Sequence, residues 1–180
     1  MRVTLLAALL ACSAALAQVD ELAAARAALR AGDTIAASAA VERHLAVNPN
    51  DARAQFLRGV ILNEQGRTNE AMEVFYILTV DHPELAEPYN NLAVIYAARG
   101  DYQRARENLE AAVRVNPEYA VAHENLGDIY ARLASQAYEK AAKADKASRS
   151  AAAKLALARD LVNYTPKRAA SDAGAAPKRN

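Results

Sequence analysis

The chain has 180 residues, 53% of them hydrophobic but only 6% aromatic, and roughly a quarter are alanine, the strongest helix former. Six Gly and six Pro are too few for the turn density of a sandwich or barrel, and no window alternates apolar and polar over a run of β-branched residues, so all-β and disulfide-stapled folds are excluded. Charged residues make up 24%, ordinary for one packed unit, and the net charge of +1 hides an uneven distribution: 11 Lys and Arg stand against 18 Asp and Glu from Gln18 to Glu139, then 10 against 3 from Lys140 to Asn180.

The first element in the chain is a leader. Met1 and Arg2 precede the uncharged apolar stretch Val3 to Ala11, and Ala15, Leu16 and Ala17 form a small-residue cleavage site before Gln18. That pattern predicts a secretory signal peptide over residues 1–17 and a periplasmic mature protein. The stretch falls short of the ~20 apolar residues a permanent membrane helix needs. A second reading keeps the segment as an Ala-rich helix of the domain. A third rests on Leu9, Leu10, Ala11 and Cys12, which resemble the lipobox of bacterial lipoproteins; Cys12 would then carry lipid and the protein would sit at the outer membrane. Cleavage after Ala17 removes the chain's single cysteine, so the mature framework must come from packing alone.

Beyond the leader, residues recur at a fixed step of 34. Pro49, Pro83 and Pro117 share it, as do Gly32, Gly66 and Gly100; Ala37, Ala71 and Ala105; and Gly59, Ala93 and Gly127. Each series has a physical task in a helix-turn-helix unit. A proline ends the second helix and pushes Asn48, His82 or Asn116 before it out of helical geometry. The Gly at 32, 66 and 100 supplies the positive-φ turn between paired helices. The small residues at 59, 93 and 127 are expected where two helix backbones approach closely. Phe56, Leu62, Phe75 and Leu78, then Tyr89, Leu92, Tyr96 and Leu109, then Leu126 and Tyr130, are expected to fill the space around them.

These residues resemble the tetratricopeptide repeat family. Ala86 to Tyr119 carries its pattern nearly throughout, in Tyr89, Leu92, Ala93, Tyr96, Gly100, Ala105, Ala112 and Pro117. Units at Gln18 to Asp51, Ala52 to Leu85 and Ala86 to Tyr119 follow, with a partial fourth from Ala120, and the resemblance covers about 70% of the chain. The first unit has Glu21 and Ala28 where bulk is usual, as suits a terminal unit. The implied fold is all-α, an α-solenoid of about three helix-turn-helix units plus a partial fourth and a C-terminal capping helix. His123 to Tyr138 is similar to the last repeat of small exported tetratricopeptide proteins of proteobacteria.

The fourth unit departs from the pattern, because Ala134 replaces the turn glycine and no Gly or Pro occurs between Asp128 and Pro166. A fused or tightly bent helix pair is expected, followed by a helix from about Ser150 to Asn163 that closes an array running from 18 to 164 through Leu155, Leu157, Leu161 and Val162. Residues 165–180 form a basic tail with nothing to bury, expected to be disordered.

Catalytic signals are thin. His44, His82 and His123 stand at different phases of the repeat, and no zinc-ligand spacing, phosphate loop or nucleophile motif is present, so neither an enzyme nor a cofactor or metal is expected. Binding is the alternative, since stacked helix pairs form a trough that holds extended or helical peptides. The resemblance assigns its wall to Arg53, Phe56, Val60 and Asn63, then Glu87, Asn90, Asn91 and Val94, then Glu124 and Asp128. The wall runs from an apolar patch at Phe56, Val60 and Val94 through amides to acids, suited to a protein or peptide partner with some positive charge. The clamp by which related domains grip a chaperone's C-terminal carboxylate is not matched: Asn91 fits, whereas Phe56, Val60, Val121 and Asn125 do not. The basic segment 140–180 offers a surface for peripheral contact with an anionic membrane or for self-association. Nucleic acid is not expected, because export removes it and only Tyr164 interleaves the basic residues as an aromatic.

Overall fold

A computed structural model describes residues 21–164; the expected leader, Cys12 and the basic tail from 165 lie outside the described residues. The chain divides into two compact units at Leu126 and Gly127. Among the described residues every regular element is a helix, eight in all: α1 (21–30), α2 (Thr34–Val47), α3 (Ala52–Glu64), α4 (Thr68–Asp81), α5 (Ala86–Ala98), α6 (Tyr102–Val115), α7 (Ala120–Ala144) and α8 (Arg149–Val162).

In the first unit the step of 34 is also the step of the local geometry. Gly32, Gly66 and Gly100 have φ of 78°, 75° and 77°, the left-handed conformation that a side chain penalises. At each, the following N–H reaches back to the carbonyl five residues earlier: Asp33 to Ala28, Arg67 to Leu62 and Asp101 to Tyr96, at 2.9, 2.9 and 3.0 Å. This closes the last turn of α1, α3 and α5 in the same way and turns the chain into the second helix. The second helices end two residues before the prolines, with Asn48, His82 and Asn116 between as C-caps at φ of −127°, −134° and −133°. Asp33, Asp51 and Asp101 cap the N-termini of α2, α3 and α6 by accepting backbone N–H bonds.

The core follows the small residues. Ala37, Ala71 and Ala105 are fully buried, and consecutive helices from α2 to α6 pack on one another in order. One cluster joins Ala25, Val41, Leu45, Ala54, Leu57 and Ile61; the next joins Leu62, Val74, Phe75, Leu78, Leu92 and Ile95. Gly59 marks the close approach of α3 and α4: a Cβ there would lie 2.6 Å from Phe75 Cε1.

Gly127 does not share that role. A Cβ there would meet nothing within 4 Å. Without a turn glycine, α7 continues for 25 residues, so no second helix folds back against position 127 as α4 does against position 59. Tyr130, expected as a filler, is half exposed, and His123 is exposed with its Nε2 2.8 Å from the Pro117 carbonyl.

In the second unit, a turn at 145–148 follows α7, and Ser148 caps α8 by accepting from the Ala151 N–H. Ala151 and Ala158 are the buried residues of α8, with Leu155 and Val162 half-buried beside them. Lys154 stands 5.8 Å from the Tyr138 ring and Arg159 3.9 Å from Glu139. Of the four apolar residues expected to close the array, Leu157 and Leu161 face solvent instead. Their phase on the helix puts them away from the stripe through 151, 155, 158 and 162.

Candidate partner-binding face

The residues assigned to the trough are carried by the first helix of each pair, and the structure sorts them into engaged and available groups. Phe56 on α3 is half-buried, its ring 5.7 Å from that of Phe75, and Val60 packs against the same cluster. Asn90 on α5 is 6% exposed, and its Oδ1 accepts from Asn125 Nδ2 of α7 at 2.8 Å. A buried amide needs such a partner, and this pair ties the third repeat to the first turns of the fourth. Asn91 donates to the Glu87 carbonyl at 2.9 Å.

Arg53, Glu87, Val94 and Glu124 are exposed, and Asn63 is half-buried. Asp128 is exposed as well, but belongs to the second unit. Two depressions open beside the available residues. The first, about 370 Å³, is walled by Ala52, Phe56, Leu85 and Pro88, with Arg26, Arg53 and Glu87 at its rim. The second, about 380 Å³, lies among Asn63, Thr68, Val94, Ile95, Ala98 and Arg99. Both have an apolar floor and a small number of polar groups, the chemistry of a side-chain pocket in a peptide site. Arg26 on α1 was missed by the sequence reading, which took its wall positions from the second unit onward. Near the first depression, burial and then the Glu87 charge push the Tyr119 phenol above its ordinary value.

The three histidines are dispersed. His44 Nε2 lies 2.8 Å from Asp51 Oδ2, His82 caps α4, and His123 bonds to Pro117. Among the described residues, no group of three His, Cys, Asp or Glu side chains is placed to hold a metal ion, and no helix is long and apolar enough to cross a membrane.

Comparison with known proteins agrees with this geometry. The family model described as tetratricopeptide repeat matches residues 22–85, and one described as TPR repeat matches 95–133. Among solved structures, the chain is similar to TTC0263, a thermophilic TPR protein of Thermus thermophilus, at 27% identity and a TM-score of 0.61, over 80% of this chain and 84% of that one. It is similar to YrrB, a TPR protein with an unusual peptide-binding site, at 26% identity and a TM-score of 0.52, over 56% and 52% of the two chains. It also matches a mutant O-GlcNAc transferase of Thermobaculum terrenum at 28% identity and a TM-score of 0.57, over 62% of this chain but only 22% of that protein. No curated protein matches the sequence.

Proposed function

We propose that this chain, which carries tetratricopeptide repeats, is a non-enzymatic scaffold that holds a peptide or helix of a protein partner along the first-helix face of its repeats. The observation that carries this reading is the pair of open depressions along the first helices, each with an apolar floor, the first edged by Arg53 and Glu87 and the second by Asn63 and Val94. The likeness to YrrB, a TPR protein with an unusual peptide-binding site, supports the reading. The partner's recognition segment carries an apolar side chain for the space between Phe56 and Pro88. An acidic group beside it would meet Arg26 and Arg53, and a basic group further along would meet Glu124.

The setting we propose is the bacterial cell envelope. The leader pattern of residues 1–17 supports it, with export to the periplasm as the first form and a lipoprotein modified at Cys12 as the alternative. The N-terminus of the protein purified from cells separates them: Gln18 exposed as the first residue supports export, and lipid on Cys12 supports the anchored form.

Photo-crosslinkers at Arg53, Val94 and, as a control on the exposed first turn of the second helix α2, Ile35 test the face in cells. Expected are crosslinks to one partner from Arg53 and Val94 and none from Ile35; equal labelling from all three would remove the assignment. Phe56 and Asn90 are poor choices for this test, because their side chains are engaged in packing and in the bond to Asn125.

A further inference from the structure

The second helices point one face outward, and in α4 that face departs from its neighbours. Tyr76, Ile77 and Val80 are 64%, 50% and 60% exposed. At the same repeat positions α2 has Glu42, Arg43 and Ala46, and α6 has Glu110, Ala111 and Arg114. An outward face of a soluble helix is normally polar, as α6 is, and at these three positions α4 alone carries only large apolar residues. Around this stripe stand Glu42, Glu70, Glu73 and Asp81, against Arg58 and Arg67, the latter holding Glu70 in a two-bond ion pair. Beside the stripe is a depression of about 310 Å³ lined by Ile77, Val74, Leu62 and several of these charges.

The second unit carries the counterpart. On α8, Leu157 and Leu161 and, just past its end, Tyr164 are 70%, 60% and 71% exposed. Leu157 and Leu161, four residues apart, share one face of the helix, and the Tyr164 N–H, bonded to the Leu161 carbonyl at 3.2 Å, keeps Tyr164 beside the end of that face. The helix that bears them has Arg149, Lys154 and Arg159 against Asp160, and Lys140, Lys143 and Lys146 precede it. One stripe is apolar with an acidic rim and the other is apolar in a basic setting.

We infer that α8 of one copy docks its Leu157, Leu161 and Tyr164 stripe on the Tyr76, Ile77 and Val80 stripe of α4 in a second copy. The occupant is a second copy because that choice accounts for both unpartnered faces and for the opposite charge of the two ends at once. Such a contact joins two different surfaces, so each bound copy still offers a free donor and a free acceptor, and assembly grows with concentration instead of stopping at a dimer. The surface lies apart from the first-helix depressions, so this inference and the proposed partner face stand or fall separately.

Complementary variants of the purified protein test it, with mass read by light scattering and sedimentation. The wild type is expected to gain mass with concentration, and to need a higher concentration for the same gain at moderately raised NaCl as the charges are screened. V80D and L161D are each expected to remain monomeric, with helical content unchanged by circular dichroism because both sites face solvent. Their equimolar mixture is expected to form a dimer and nothing larger, since it holds one intact acceptor and one intact donor. A monomeric wild type at all concentrations overturns the inference, as does a mixture that stays monomeric. A third overturning result is L161D losing wild-type binding to vesicles rich in anionic lipid while V80D keeps both that binding and wild-type association, which would assign the α8 stripe to a membrane surface.

Discussion

Gly59 and Gly127 occupy the same position of the repeat, two steps of 34 apart, and the structure predicts opposite responses to the same substitution. Both lie inside a helix, where Gly costs about 1 kcal/mol against Ala, so each Gly→Ala change begins with that gain. At 127 the added methyl meets nothing within 4 Å and the gain is kept. At 59 it would lie 2.6, 3.0 and 3.1 Å from Cε1, Cζ and Cδ1 of Phe75, close to an ångström inside ordinary carbon contact at the shortest. The ring has no way out, because Phe75 is fully buried and Phe56 stands 5.7 Å from it. Forcing α3 and α4 apart costs about 1–3 kcal/mol as overpacking, so Gly59→Ala is expected to destabilise by about 0–2 kcal/mol net, while Gly127→Ala stabilises by up to about 1 kcal/mol. Urea unfolding followed by far-UV circular dichroism gives the two midpoints, compared at constant slope. If Gly59→Ala raises the midpoint as much as Gly127→Ala does, the close approach of α3 and α4 at this point is wrong.

Three further outcomes follow from named contacts. Ala105→Leu places three more carbons where the wild-type side chain is already fully buried, and is expected to lower stability by about 1–3 kcal/mol in the same urea assay. Asn125→Ala leaves the buried Asn90 Oδ1 without its donor and is expected to cost about 1–3 kcal/mol; a double-mutant cycle with Asn90→Ala should return a favourable coupling between the two amides. Asp51 supplies a pH dependence. Burial works against its carboxylate, but the bonds from His44 and from the Ala54 and Arg53 N–H groups outweigh it and hold the pKa below the ordinary value. A carboxyl with a lowered folded-state pKa contributes stability above its unfolded value, near 4, and loses that contribution as pH falls toward the folded value. The wild type should therefore exceed Asp51→Asn at pH 7, and the gap should shrink when the midpoints are measured at pH 3.

Much of this fold was legible because its signals are scarce residues under backbone constraint. A glycine at positive φ and a proline beyond a C-cap each remove alternatives outright, and three of each at one spacing fix where helices turn and stop. The missing turn glycine near Ala134 was informative for the same reason: with nothing to stop it, α7 runs on to Ala144. Gly127 is the counter-case. Its place in the register invited the role of Gly59, but a close approach requires a second helix, and the sequence that abolishes the turn also abolishes that neighbour. Leu157 and Leu161 failed likewise, because alanines 151 and 158 took the buried phase of α8, a choice that composition does not reveal when small and large apolar residues are both abundant.

Register also gave the candidate face without saying which of its side chains are available. The wall positions come from a helix period, and a period distinguishes one side of a helix from the other but not a group that is already bonded from one that is not. Asn90 and Asn91 are adjacent and both were assigned to the trough, yet Asn90 is closed off by Asn125 from the next first helix, 35 residues on, while Asn91 turns to the carbonyl of its own helix. Phe56 is similarly drawn toward Phe75, leaving its outer edge as the floor of a depression whose rim includes Arg26, from the first helix of the one full unit in which no wall residues were assigned. The contacts that decide availability run between repeats, so their partners sit one step of the array away. Variation at Arg53, Glu87 and Val94 should therefore change what is bound with little effect on folding, whereas variation at Phe56 and Asn90 should change the stacking of the repeats themselves.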